Sequence, residues 1–236
     1  MKKRIFIKKS RGFTLIEILL AIFVFGLVIS VVFGAYTGTL NNVNAVEKTM
    51  TGYESGKVGL ERIHEDLSSL QVTPKLFYKK PSNEEEHDSY RILTDTSDAG
   101  GESFPRLRFA SMGHVDLSGE GRTGVAEIVY YVTKDPTDEN SFVLRRADTL
   151  DFDLLKSKDE RADPILCDRI RSVTYTFYDE QGDEHEDWDS DSSSNGFATP
   201  AAVAVRIEMD GPDGREGTAI RFETRAALPV VREKLE

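Results

Sequence analysis

The sequence of 236 residues has little of what most enzymes and disulfide-stabilised proteins need. Cys167 is the single cysteine, so no disulfide can form within the chain and the core must come from packing alone. The four histidines share no metal-ligand spacing, and neither a Gly-x-Ser-x-Gly elbow nor a phosphate-binding glycine loop is present. Cys167 follows the apolar residues 164–166, where a buried structural thiol is expected rather than a nucleophile. These absences argue against an enzyme.

Acidic residues are missing from residues 1–12, which hold six of the 30 Lys and Arg. The rest of the chain has 24 Lys and Arg against 41 Asp and Glu, a formal charge of −17. Nucleic-acid binding needs clustered basic residues that replace counterions, so this balance argues against a nucleic-acid partner.

Long apolar runs are also scarce: the one that is present covers residues 13–35, and Glu17 is its only charged residue. About 20 helical residues cross a bilayer, so the run predicts one transmembrane helix. The basic residues before it predict a cytoplasmic N-terminus, with the rest of the chain on the other side. A cleaved secretory signal peptide is the alternative, but it would have a shorter apolar core without an acid. A lone carboxylate in a membrane helix is costly and is usually functional.

The helix is predicted to continue past the membrane, from about residue 13 to about residue 70, before Pro74. Apolar residues recur at helical spacing and predict one packing face: Val46, Met50, Tyr53, Leu60, Ile63, Leu67 and Leu70. Each glycine inside the helix costs about 1 kcal/mol relative to alanine, which leaves flexibility and close helix approach as open interpretations. These glycines are Gly26, Gly34, Gly38, Gly52, Gly56 and Gly59.

Beyond Pro74 the apolar pattern changes to period two, which is typical of strands. Strands are predicted within residues 107–109, 128–132, 142–144, 173–178, 203–209 and 220–223, with a hairpin turn at 211–214. Residues 81–89, 94–103 and 182–195 are predicted as loops, the last of them mobile. One helix followed by many strands predicts an α+β fold, in which the long N-terminal helix packs on an antiparallel β-rich domain.

Calcium is a weak candidate ligand of the 182–195 loop. Asp187, Asp189 and Asp191 alternate there, and carboxylate oxygens suit Ca²⁺. The EF-hand pattern fails, because its glycine position is Ser192 and its final glutamate position is Ala198. A solvated acidic loop is therefore the favoured interpretation, and no cofactor is expected.

Residues 9–17, Lys-Ser-Arg-Gly-Phe-Thr-Leu-Ile-Glu, resemble the processing site of type IV pilins and type II secretion pseudopilins. In that family, a prepilin peptidase cuts after the glycine and methylates the new N-terminus. The resemblance implies that Gly12 precedes the cut, Phe13 becomes the methylated first residue, and Glu17 is the family's glutamate. A carboxylate in apolar surroundings needs a counter-charge, and the α-amine of Phe13 in a neighbouring subunit can supply it.

The remainder of the chain resembles the minor pseudopilin J family, the general secretion pathway protein J family. The similar segments are Arg62-Ile63-His64-Glu65-Asp66-Leu67, Tyr130-Tyr131-Val132, Leu144-Arg145-Arg146, residues 173–179 with Gly182, Trp188, and residues 200–207. The K-type tip pseudopilin lacks the acid that Glu17 provides here. The resemblance implies a pilin-like fold and a non-catalytic part of the pseudopilus tip, which primes pseudopilus assembly for protein export. Its implied partners are the I-type and K-type minor pseudopilins, the major pseudopilin and prepilin peptidase.

This interpretation divides the chain into a leader removed by prepilin peptidase (1–12), a transmembrane half of the helix (13–35), a periplasmic half (36–74) and a β-rich head (75–236). It predicts a single-pass inner-membrane protein with a cytoplasmic N-terminus and a periplasmic C-terminal domain. Two alternatives stay open: a minor type IV pilin for adhesion, motility or DNA uptake, and a membrane-tethered periplasmic binding module.

Overall fold

The computed structural model describes residues 12–83, 86–116, 119, 121–152, 163–211 and 219–235, apart from the side chains of 41–49 and 51. Residues 1–11 of the expected leader and residues 212–214 of the expected turn lie outside this description. The chain divides into two compact units, residues 1–47 and 48–236. Helix α1, Leu15–Ser68, belongs to both units and is followed by antiparallel strands, which confirms the α+β class.

In the first unit, α1 is apolar on every side. Its described side chains up to residue 40 are exposed, except that of Thr37, which is half-buried. By length and composition, Leu15–Leu40 is long and apolar enough to cross a membrane. Its 26 residues give about 39 Å of helix at 1.5 Å per residue, which exceeds the hydrocarbon thickness of a bilayer.

The second unit contains two antiparallel sheets. The first has the order β1-β3-β4-β5-β6, with β2 also paired to β3, and the second has the order β10-β9-β7-β8. The strands are β1 (Leu70–Gln71), β2 (Leu93–Asp98), β3 (Ser103–Ser111), β4 (Ala126–Lys134), β5 (Phe142–Thr149), β6 (Ile165–Cys167), β7 (Ile170–Tyr178), β8 (Glu184–His185), β9 (Ala202–Met209) and β10 (Ile220–Ala227). All six predicted strand segments lie within these strands, and Met209 pairs with Ile220 across the predicted β9–β10 hairpin.

The loop predicted at 94–103 is wrong, because most of this segment belongs to the β2–β3 hairpin. Asp98 pairs with Ser103, and Gly100 and Gly101 adopt the positive φ angles that the tight connection requires. The Asp98 carboxylate accepts hydrogen bonds from both glycine amides, at 3.1 and 3.3 Å. The composition therefore indicated the turn correctly but concealed the polar strand before it.

The glycines of α1 in the second unit lie on its buried face. A Cβ on Gly56 would lie 2.4 Å from Cε2 of Phe222, and a Cβ on Gly59 would lie 2.3 Å from Sγ of Cys167. Close helix–sheet approach is thus the role of these residues, whereas a Cβ on Gly26, Gly34 or Gly38 would meet no described atom within 4 Å.

The predicted packing face is correct only in its later turns. Ile63, Leu67 and Leu70 are buried and Leu60 packs against the core. Met50 and Tyr53 are 58% and 54% exposed, although the Tyr53 ring lies 5.3 Å from that of Phe222, and the side chain of Val46 lies outside the description. The strands pack against the glycine surface of α1 instead, because glycine lets a neighbouring backbone come closer than a large side chain does.

Cys167 is fully buried at the end of β6, as predicted for a structural thiol. Burial, with a smaller contribution from the charge of Asp168, raises the pKa of the thiol to about 12. The thiol is therefore protonated at neutral pH and is a poor nucleophile.

Residues 182–195 do not form the solvated loop that their composition predicted. They contain β8 and a 3₁₀ turn, Ser193–Asn195, and bury Trp188, Ser190 and Asp191. The indole Nε1–H of Trp188 donates a hydrogen bond to the carbonyl of Ala198 at 3.0 Å. The segment is thus part of the packed structure.

Candidate functional site

The N-terminal end of α1 is closed by a reciprocal pair of side chains. The backbone N–H and the hydroxyl of Thr14 donate hydrogen bonds to Oε2 of Glu17, at 2.8 and 2.9 Å. The backbone N–H of Glu17 donates to Oγ1 of Thr14 at 3.4 Å. This is a capping box, in which Thr at the N-cap and Glu three residues later satisfy amides that the helix leaves unpaired. The Thr-x-x-Glu spacing is the sequence signature of such a box and could have predicted it.

Glu17 keeps one carboxylate oxygen available for another partner. Both hydrogen bonds from Thr14 end on Oε2, and no described residue donates to Oε1. The helix face that starts at Glu17 is an open apolar groove lined by Leu20, Ala21, Val24, Phe25 and Val28. This face can accept a neighbouring apolar helix that carries a positive charge close to Glu17.

Gly12 and Phe13 precede the helix, so the three predicted residues of the processing and assembly site lie at one end of α1. Phe13 is 85% exposed, and a Cβ on Gly12 would meet no described atom within 4 Å. The two residues that flank the expected cut, Gly12 and Phe13, are therefore accessible among the described residues.

A second group of polar side chains, which we call the helix–sheet cluster, joins α1 to the first sheet. Its members are Arg62, Asp66, His114, Tyr130, Arg146 and Asp148. Asp66 is fully buried on α1 and accepts hydrogen bonds from Arg62 at 2.5 Å and from Nε of Arg146 at 2.7 Å. The hydroxyl of Tyr130 donates to Oδ2 of Asp66, the oxygen that also accepts from Nε of Arg146, whereas Arg62 donates to Oδ1.

Arg146 on β5 connects Asp66 to a second carboxylate. Its Nη1 donates to Asp148 at 2.6 Å, and its Nη2 donates to the carbonyl of Gly113 at 2.8 Å. Burial opposes the charged form of Arg146, yet the hydrogen bond and the charge of Asp66 outweigh it and raise the pKa of the guanidinium. Burial likewise favours protonated Asp148, but hydrogen bonds from His114, Val115 and Arg146 outweigh it and lower the pKa of that carboxyl. The cluster is therefore a compensated ionic network.

The structure places the J-like segments 62–67, 130–132 and 144–146 in contact through this cluster. Another J-like feature, Asp179 with Gly182, forms the turn after β7. The Asp179 carboxylate accepts hydrogen bonds from the backbone of Gln181 and Asp183, and Gly182 has a φ of 88°. These residues position structural elements around a common core.

The two later calcium candidates have protein partners. Arg91 binds Asp189 through two hydrogen bonds of 2.7 and 2.6 Å, and these outweigh burial and lower the pKa of Asp189. Asp191 is buried and accepts hydrogen bonds from the Tyr78 hydroxyl at 3.0 Å and the Asp88 amide at 2.8 Å. Burial is the main reason that its pKa is raised.

Asp187, the first of the three, is exposed. Across the described ranges, no group of three or more His, Cys, Asp or Glu is arranged to hold a metal ion. Asp189 and Asp191 are thus placed for pairing with arginine, a tyrosine hydroxyl and a backbone amide, whereas Asp187 faces solvent.

Arg232 anchors the segment that follows β10 to the residues around Asp88, Ser190 and Phe197. The side chain is buried, donates to the carbonyls of Phe197 and Ser190 at 2.8 Å each, and forms an ion pair with Asp88 at 3.0 Å. Its guanidinium lies over the ring of Tyr78, 3.6 Å from the centroid. Such a contact stabilises both the ring and the segment.

Comparison with known proteins agrees with these features. The prokaryotic N-terminal methylation motif matches residues 7–33, and the family model for type II secretion system protein J matches residues 34–216. A search of curated proteins found no match. The family match covers most of the chain, including α1 beyond Ala35, the first sheet, strands β7 to β9 of the second sheet and the helix–sheet cluster, and it ends before β10. The chain therefore belongs to the type II secretion system protein J family, a family of structural minor pseudopilins.

Proposed function

We propose that this pseudopilin is a component of the pseudopilus tip, where it joins the I-type and K-type minor pseudopilins and primes assembly of the major pseudopilin. The observation that carries the proposal is the succession of an N-methylation motif and a J-family domain in one chain. The same match favours protein export over the pilus alternative. The proposed role is structural, because the helices and the heads of neighbouring subunits would pack against each other.

Processing by prepilin peptidase after Gly12 would release the leader and leave Phe13 as the methylated first residue. The α-amine of Phe13 in one subunit would then pair with Glu17 in the next. The geometry supports this pairing, because Thr14 occupies Oε2 of Glu17 and no described residue binds Oε1. The apolar groove beyond Glu17 would receive the neighbouring helix.

We place the protein in the inner membrane, with the N-terminus in the cytoplasm and the head in the periplasm. The apolar span Leu15–Leu40 supports the anchor, and the six basic residues among residues 1–12 support the orientation.

Variants of the N-terminal segment test this proposal in cells that secrete through the same system. Gly12→Val should block processing, whereas Gly12→Ala should leave most of the chain processed; a gel separates the two forms. Glu17→Ala should be processed but should support little secretion, because the carboxylate that sets axial register is lost.

Thr14→Ala is the matched control for Glu17→Ala. It removes the hydroxyl partner of Glu17 but keeps the backbone donor and the carboxylate, so secretion should fall less. Normal secretion by Glu17→Ala would refute the charge-pairing role. Equal losses in both variants would instead show that Glu17 acts through the helix cap.

A further inference from the structure

Residues 74–80, here called the basic turn, present the most exposed large apolar side chain of the described residues. Leu76 is 86% exposed and the adjacent Phe77 is 72% exposed. Burying two such side chains against a partner would stabilise the complex. An exposed apolar pair of this kind, framed by polar residues, is typical of a protein interaction site.

Two backbone hydrogen bonds and the buried side chain of Tyr78 fix the conformation of the basic turn. The amides of Phe77 and Tyr78 donate to the carbonyl of Pro74 at 2.9 and 3.0 Å. Tyr78 is buried between Asp191 and the guanidinium of Arg232. The apolar pair is thus fixed in an exposed position before any partner arrives, and this reduces the entropic cost of binding.

The turn is basic in a domain that is otherwise acidic. Lys75, Lys79 and Lys80 surround the apolar pair, whereas the chain after residue 12 has a formal charge of −17. Lys79 makes no hydrogen bond or ion pair with the described residues. Lys75 donates to the carbonyl of Lys234 at 3.0 Å and pairs with Glu233 at 3.7 Å, and Lys80 lies over the ring of Phe197, 5.1 Å from the centroid. A shallow cavity of about 240 Å³ lies beside Phe77, and its basic and acidic lining residues are Lys79, His87, Glu86 and Asp88, the last of which is paired with Arg232.

We infer that the basic turn docks onto a partner pseudopilin head that presents carboxylates around an apolar recess. The inference rests on the proposed function and names a surface for it. Charge complementarity selects this partner, since the lysines match carboxylates and Leu76 and Phe77 fill an apolar recess. An anionic bilayer would present the same charge, and the crosslinking experiment distinguishes it from a protein partner.

Photo-crosslinking in the full-length chain tests the surface. p-Benzoylphenylalanine replaces Phe77 in cells that express the secretion system, and the same residue replaces Val58, which is 60% exposed on α1, as a reference for helix contacts. Position 77 should crosslink to an I-type or K-type pseudopilin. Lys79→Glu combined with Lys80→Glu should reduce that yield at least fivefold, whereas Lys57→Glu on α1 should leave it unchanged.

A crosslink at position 58 without one at 77, or a product at 77 that contains only lipid, would overturn the docking surface and leave the proposed function standing. A yield at 77 that is insensitive to the lysine reversals would overturn the charge complementarity. If neither position reaches another pseudopilin, both the surface and the proposed function fail.

Discussion

Asp66→Asn should strongly destabilise the head, because it removes one charge from the helix–sheet cluster and keeps the shape of the side chain. Asp66 is fully buried and contacts Arg62, Tyr130 and Arg146. In the variant, Asp148 is the remaining carboxylate of the cluster, which still holds the guanidinium groups of Arg62 and Arg146. Breaking a buried pair from one side costs about 3–5 kcal/mol. That is a large share of the roughly 5–15 kcal/mol that stabilises an ordinary domain.

Urea unfolding of a fragment that starts at residue 41 measures this loss. Trp188 is the single tryptophan and is 2% exposed, so its fluorescence reports unfolding directly. A loss of this size lowers Tm by about 6–20 °C in a domain of this length. Glu65→Gln is the matched control, since Glu65 is 68% exposed and pairs with Arg62 at 3.5 Å. It should cost no more than about 1 kcal/mol.

A double-mutant cycle identifies the pair responsible. Arg146→Gln combined with Asp66→Asn should cost less than the sum of the two single losses, by about 0.5–3 kcal/mol. The reasoning is refuted if Asp66→Asn destabilises no more than Glu65→Gln, or if the two single losses simply add.

Two further predictions concern the same head. Gly59→Ala should lower the free energy of unfolding by about 1–3 kcal/mol, because its Cβ would overlap Sγ of Cys167, and Cys167→Ala in the same chain should restore part of the loss; an unaltered urea midpoint in Gly59→Ala would show that the close approach is unimportant. Asp148 has a lowered pKa in the folded state, so its contribution to stability is fully present above the ordinary pKa of about 3.9 and is lost as pH falls through the folded value. Thermal melting from pH 6 to pH 3 should therefore show a shallower acid loss in Asp148→Asn than in the wild type, and parallel curves would contradict this role.

The sequence predicted six of the ten described strands, because their apolar residues alternate and distinctive turn residues separate them. It missed the polar strand β2 and the short strands β1, β6 and β8. It also predicted the long helix, but its early packing face was wrong. Hydrophobic periodicity selected the large residues Met50 and Tyr53, whereas the sheets approach the glycines Gly56 and Gly59 of α1. Glycine lacks an apolar side chain, so hydrophobic periodicity does not register it.

The acidic segment 182–195 was misjudged for a related reason. The composition of the segment shows the charges of Asp189 and Asp191 but not their partners. Arg91, which contacts both, lies about 100 residues away in the sequence. The N-terminal site was easier to predict, since Gly12, Phe13 and Glu17 lie within six consecutive residues. Their roles in processing and assembly remain predictions.

The most direct test of the central claim is a binding measurement with the partner heads. A fragment that starts at residue 41, mixed with the I-type and K-type heads of the same organism, should elute from size exclusion as a ternary complex, with all three chains in one peak. Elution of this fragment as a separate species, while the other two heads remain folded, would contradict its place in the pseudopilus tip.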